Sequence, residues 1–147
     1  EERPRLAALT DRVVDVHGSR HPELHNVKIS FTALRDDLEP HLMKEEQVLF
    51  PMIRELAAAT TVPTLHCGTL ANPIRMMLLE HDRAGELLAE LRELTTGFEP
   101  PTDACASYQA LYRGLAEVEA DTHLHVHKEN NVLFPAVLAL EDALSTR

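Results

Sequence analysis

The chain has 147 residues, 24 acidic against 14 basic side chains and a net charge of −10, with 44% hydrophobic and 26% charged residues. This is the balance of one globular domain, 1–147, large enough for a real core. The acidity argues against binding of nucleic acid or anionic membrane through a basic face. No run of 18 apolar residues could span a bilayer, and no signal-peptide pattern opens the chain. The first residue is Glu1 rather than Met, which implies that residues upstream have been removed. Aromatics are only 4% and Trp is absent, so Leu and Ala must supply most of the packing, which suits helices. Cys67 and Cys105, with no CxxC, make no disulfide framework and point to a reduced, cytoplasmic setting.

Residues 4–17 carry Leu6, Leu9, Val13, Val14 and Val16 and read as the end of a first amphipathic helix. A turn follows at Gly18-Ser19 and His21-Pro22, with Pro22 suited to a first helical position. A second helix runs from Pro22 to about Ala59. Its apolar seam is Val27, Phe31, Leu34, Leu38, His41, Glu45, Val48 and Met52, in steps of 4 and 3. Pro40 and Pro51 each remove a helical hydrogen bond and should bend or locally break it. Thr60 to Asn72 connects to a third helix, with Asn72-Pro73 as N-cap and first-turn proline. The third helix, 73–95, has the seam Ile74, Met77, Leu78, His81, Ala84, Gly85, Leu88 and Leu91, with two small residues beside His81. After the Pro100-Pro101 loop, Thr102 or Asp103 can cap a fourth helix to about Leu140. Its seam is Leu111, Leu115, Val118, Thr122, His125, Glu129, Val132, Ala136 and Leu140. The pattern predicts an all-α, up-down-up-down four-helix bundle.

The second and fourth helices contain one phrase twice. His41-Leu-Met-Lys-Glu45-Glu-Gln-Val-Leu-Phe-Pro51 returns as His125-Val-His-Lys-Glu129-Asn-Asn-Val-Leu-Phe-Pro135, at a constant offset of 84 residues. In each copy a His and a Glu stand four apart, on one helical face. A single HxxxE is most often a surface contact, and a lone apolar-face histidine such as His81 is most often a core residue. Here three His and two Glu share one seam. Buried carboxylates repel and resist ionisation without cations. Imidazole with carboxylate suits iron, manganese or zinc, and two ions could be bridged by Glu45 and Glu129 with His nitrogens as terminal ligands. Lys44, Glu46 and Lys128 belong to the solvated face. His123 and His127 point outward. His17, His21 and His25 lie exposed near the first turn, and His66-Cys67-Gly68 is a weaker ligand or redox candidate. Asp37 and Glu80 are candidates to orient the ligand imidazoles or guide protons.

The two HxxKExxVLFP copies, Asn72-Pro-Ile-Arg, and Glu80-His81-Asp82-Arg-Ala-Gly85 together resemble the hemerythrin-like di-iron domain of the RIC proteins (repair of iron centres), or iron-sulfur cluster repair family. The resemblance covers nearly the whole chain. It implies two iron ions, oxo- or hydroxo-bridged, with Glu45 and Glu129 as bridging carboxylates and His41, His81 and His125 as terminal ligands. It implies repair of iron-sulfur clusters damaged by oxidative or nitrosative stress, with damaged iron-sulfur proteins as partners and iron donation as the route. The alternatives it carries are nitric oxide reduction and reversible oxygen binding or sensing. Family members often bear a small N-terminal domain with a vicinal cysteine pair, which is absent here. They also take a further His from the first helix. His17 does not suit that place, since it would lie roughly 25–30 Å from His41 along the helices at about 1.5 Å per residue. That ligand is expected upstream of Glu1, on a first helix truncated at its N-terminus.

Overall fold

The structure, a computed structural model, describes residues 2–65 and 67–146. Its helices are α1 (Glu2–His17), α2 (Glu23–Lys44), α3 (Phe50–Ala58), α4 (Ala71–Leu94), α5 (Ala106–Lys128) and α6 (Phe134–Ser145). Short π-helical turns join α2 to α3 (π1, Glu45–Leu49) and α5 to α6 (π2, Glu129–Leu133), so the chain makes four long helical stretches and, among the described residues, no strand. The all-α class and four-helix order are those predicted. The chain divides into two compact units, one of Glu1–Asp37 with Arg83–His123, the other of Leu38–Asp82 with Leu124–Arg147.

In the first unit, Val27, Phe31 and Leu34 are buried with Leu6, Val13, Leu88, Leu91, Leu111 and Leu115. Gly114 lets α1 come close, because a Cβ there would stand 2.3 Å from the Leu6 side chain. Neither proposed cap serves the fourth stretch. It begins at Ala106, where the Gln109 N–H bonds the Cys105 carbonyl at 3.0 Å, and Asp103 instead accepts from His21 Nε2 at 3.0 Å. His17 and His21 are half-buried rather than exposed. His17 Nε2 lies 3.1 Å from Cys105 Sγ, and both rings pack edge-on against buried Tyr108. His25 is exposed as expected.

The second unit buries Leu49, Met52, Leu56, Leu70, Ile74, Met77, Phe134, Val137 and Leu144 in one cluster. The α4 stretch starts at Ala71, so Asn72 and Pro73 lie in its first turn instead of capping it. The Leu70 N–H donates to Glu141 Oε2 at 2.9 Å, and Thr69 also bonds that carboxylate. Cys67 Sγ rests 3.9 Å from Met52 Sδ, while His66 lies outside the described residues.

The prolines act differently from one another. α2 continues through Pro40, where Pro40 and the i−4 residue Asp36 are both solvent-exposed and the orphaned carbonyl can be hydrated. Pro51 is preceded by π1. The Phe50 N–H reaches back five residues to the Glu45 carbonyl, and the Phe134 N–H does the same to Glu129. The wider turn steps the hydrogen-bond ladder out just before each proline, whose ring would otherwise crowd the i−4 carbonyl.

That extra width moves the seam by one residue. Val48 and Val132, predicted to be inside, are 42% and 61% exposed, and Leu49 is buried in place of Val48. Beyond π2, Ala136 and Leu140 face out, and the buried positions are Phe134, Val137 and Leu144. On α4, Leu78 and Gly85 are exposed, and Leu87 is buried instead.

Candidate metal centre

All five sequence-predicted ligands lie in the second unit. His41 ends the ligand-bearing part of α2, Glu45 opens π1, His81 sits on α4, His125 on α5, and Glu129 opens π2. Each offers one donor atom, and these five atoms lie within 4.8 Å of one another. Both glutamates therefore stand at the first residue of a π turn, a feature that recurs at functional sites. His41, Glu45, His81 and Glu129 are buried, whereas the His125 side chain is 35% exposed.

The carboxylate oxygens divide in an ordered way. Glu45 Oε1 faces His41 Nε2 at 2.9 Å and His81 Nε2 at 3.9 Å, while its Oε2 faces His125 Nε2 at 3.2 Å. Glu129 Oε1 faces His81 Nε2 at 3.0 Å, and its Oε2 faces His125 Nε2 at 3.2 Å. His41 and His81 Nε2 are 3.2 Å apart. Each carboxylate thus presents one oxygen to the His41/His81 side and the other to the His125 side.

The donors come close without satisfying one another. Glu45 Oε1, Glu129 Oε1 and His125 Nε2 are buried and lack a properly angled hydrogen-bond partner. Unpaired buried polar atoms of this kind are costly, and a cation among them would satisfy all three. This is the observation by which the residues fit a metal. Nitrogen and carboxylate donors together match iron, manganese or zinc.

In the metal-free state protons take the place of the cation. Burial opposes ionisation of Glu45, but the close nitrogens of His125, His41 and His81 outweigh it and hold that carboxyl well below the usual range. Burial also works against a charged His81, yet the nearby Glu129 and Glu45 carboxylates and the bond to Asn130 push its pKa up to about 9. The close Glu129 and Glu45 carboxylates push His125 up to about 10, against burial. Both folded values exceed the ordinary histidine value. The imidazolium contribution to stability is therefore complete below about pH 6.5 and declines to nothing as pH rises through 9 to 10. Metal-free protein should lose thermal stability across that range, and scans at stepped pH check it.

The far ring nitrogens are also held. His81 Nδ1–H donates to Asn130 Oδ1 at 2.7 Å, which fixes the tautomer that leaves Nε2 for a metal. His41 Nδ1 lies 3.4 Å from Glu80 Oε2, and Lys44 Nζ holds the other Glu80 oxygen at 2.5 Å. Glu80 thus orients His41 rather than its neighbour in sequence, His81, and Lys44 joins this arrangement instead of standing free. Asp37 pairs with Arg83 at 3.6 Å and touches no ligand. Asn130 drew no attention in the sequence, although its counterpart in the first copy, Glu46, is a simple exposed residue. Asn130→Leu should weaken metal binding about 10- to 100-fold, with Asn130→Asp retaining most of the affinity because it keeps the acceptor. Chelator competition measures both. His123 and His127 face outward as predicted, with His127 bonded to Asn131 at 2.9 Å.

Residues 2–137 match the family described as the Hemerythrin HHE cation binding domain. The chain belongs to this family. Membership gives the hemerythrin-like class of the fold and a cation-binding kind of domain, and the His/Glu cluster has the donor set of a metal site. Among similar proteins of this kind, a "Probable iron-sulfur cluster repair protein" of Haemophilus influenzae is 41% identical over 138 residues, 94% of this chain and 58% of its own length. The "Iron-sulfur cluster repair protein YtfE" of Musicola paradisiaca is 38% identical over 138 residues, again 94% of this chain and 58% of that one. The YtfE protein of Salmonella schwarzengrund is 37% identical over 141 residues, 96% of this chain and 60% of that one. The hemerythrin-like chain thus spans about three-fifths of the length of these relatives. No helix among its described residues is long and apolar enough to cross a membrane.

Proposed function

We propose that the His/Glu cluster holds two iron ions and that the protein serves the repair of damaged iron-sulfur clusters by donating iron. The observation that carries this reading is the division of the carboxylate oxygens. Glu45 turns one oxygen toward His41 and His81, Glu129 turns one toward His81, and each turns its other oxygen toward His125, the arrangement in which a carboxylate bridges two ions. The names of the relatives supply the client class, iron-sulfur proteins. Bound iron would supply reversible ferrous/ferric chemistry and, as cargo, an ion that can leave.

The protein's own part is to keep the site selective and releasable. Asn130 and Glu80 aim His81 and His41 through their Nδ1 atoms. His81 and His125 can take up protons when metal departs, so the empty site is not left with two uncompensated carboxylates. The His125 side chain is 35% exposed while its Nε2 is buried, so one edge of this imidazole meets solvent and the other faces the cluster. A movement of that ring would admit a small diatomic such as nitric oxide or oxygen, which is the second reading.

Iron-loaded protein mixed with a cluster-depleted iron-sulfur dehydratase, a sulfide source and reductant should restore dehydratase activity. Glu129→Ala protein should not. Iron that stays bound under reductant and chelator would overturn the donor reading. Nitrous oxide formation from nitric oxide, under anaerobic conditions without iron loss, would favour the second.

A further inference from the structure

We infer that a groove between α1 and α5 is a docking site for an acidic segment of a protein partner. This groove has a volume of about 540 Å³, and both of its walls belong to the first unit. Its charged lining is Arg5, Arg12 and Arg113, with Ser107 beside them and a shallow floor of small residues such as Ala8 and Ala110. Among the described residues, no carboxylate lines it. The chain has 24 acidic residues against 14 basic ones, so a groove with arginines alone runs against the composition. Four cations elsewhere are paired with carboxylates: Lys28 with Asp11, Lys44 with Glu80, Arg83 with Asp37 and Arg92 with Glu119. The three groove arginines are exposed and make no salt bridge to a described carboxylate.

The shape of the charge selects the ligand. Arg5 and Arg12 stand seven residues apart on α1, about 10 Å along the axis. One phosphate cannot span that. Among the described residues, no aromatic side chain lines the groove to stack a nucleobase. The lining is open and its floor apolar and small, whereas small-molecule sites enclose most of their ligand. An extended or helical segment with carboxylates about 10 Å apart and small apolar residues between them would meet the arginines at both ends. Arginine favours this through paired hydrogen bonds to each carboxylate. The net charge of −10 repels acidic chains elsewhere, so attraction here would be confined to the groove. The inference does not depend on the metal reading.

The test uses the intact metal-loaded chain and a fluorescein-labelled Glu/Ala peptide, followed by anisotropy and by backbone amide NMR shifts. The expected result is saturable binding that weakens with salt and shifts resonances of α1 and the first turns of α5. Single Arg5→Ala, Arg12→Ala and Arg113→Ala changes should each weaken it about two- to fivefold, as for exposed ion pairs. Reversal of all three to Glu should abolish it with the helical spectrum and metal content unchanged. The inference is overturned by absence of peptide binding, by equal binding to the triple variant, or by shifts elsewhere. It is also overturned if pyrophosphate or ATP saturates the groove more tightly than the peptide, which makes it a small-anion site. Self-association lost in the triple variant would overturn it too, because the groove then receives a second copy of this chain.

Discussion

Glu129→Ala protein, produced in iron-supplied cells, should carry at least one metal ion fewer per chain than the parent. Glu45→Ala should do the same. Each glutamate reaches both sides of the cluster, so removing one takes an oxygen from the His41/His81 side and one from the His125 side together. A terminal histidine touches one side only, and its loss should be milder. The exposed His127 is the control, because its imidazole bonds Asn131 and not the cluster; His127→Ala should keep the parent metal content. Metal-to-protein ratios decide this. Equal loss from His127→Ala would contradict the helical phase on which the site is built.

Phe134→Ala should be the most destabilising single change away from the ligands, costing about 3–5 kcal/mol in chemical denaturation of metal-free protein. Phe134 is 1% exposed at the centre of the second unit's core. Its ring stacks on His81 with centroids 6.0 Å apart and planes within 6°. The cavity would therefore also free a ligand imidazole, and metal affinity should fall with stability. Phe50 holds the same place in the first copy of the repeat but is only partly buried. Phe50→Ala should cost less than half as much. Equal costs would mean that the repeat, rather than its packing, sets the energetics.

Those two phenylalanines mark where reading the sequence stops. The clustering of the five side chains is legible because an i, i+4 pair recurs in two helices and His81 lies in phase with a third seam, and helical phase is a local property. What followed each glutamate was not legible. Pro51 and Pro135 announce a disturbance, but steps of 3 and 4 cannot show that the chain answers with a five-residue turn, which is why Val48 and Val132 face out where the seam puts them in. Contacts between helices were equally hidden. Glu80 neighbours His81 in sequence yet serves His41, and Asn130 reaches across to His81. Such pairings depend on how neighbouring helices meet, which no single-helix periodicity encodes. Membership of the hemerythrin family fixes the kind of site, but not these partners.

The first-helix ligand expected from the resemblance has no candidate here. α1 gives no donor to the cluster among the described residues, and His17 bonds Cys105 instead. The His125 side is accordingly the poorer in nitrogen, with one imidazole against two.

If Glu45 and Glu129 hold a pair of iron ions, protein purified without oxygen from iron-supplied cells should carry two irons per chain by metal analysis. A chain that carries no iron under those conditions, or only zinc, would rule the pair out.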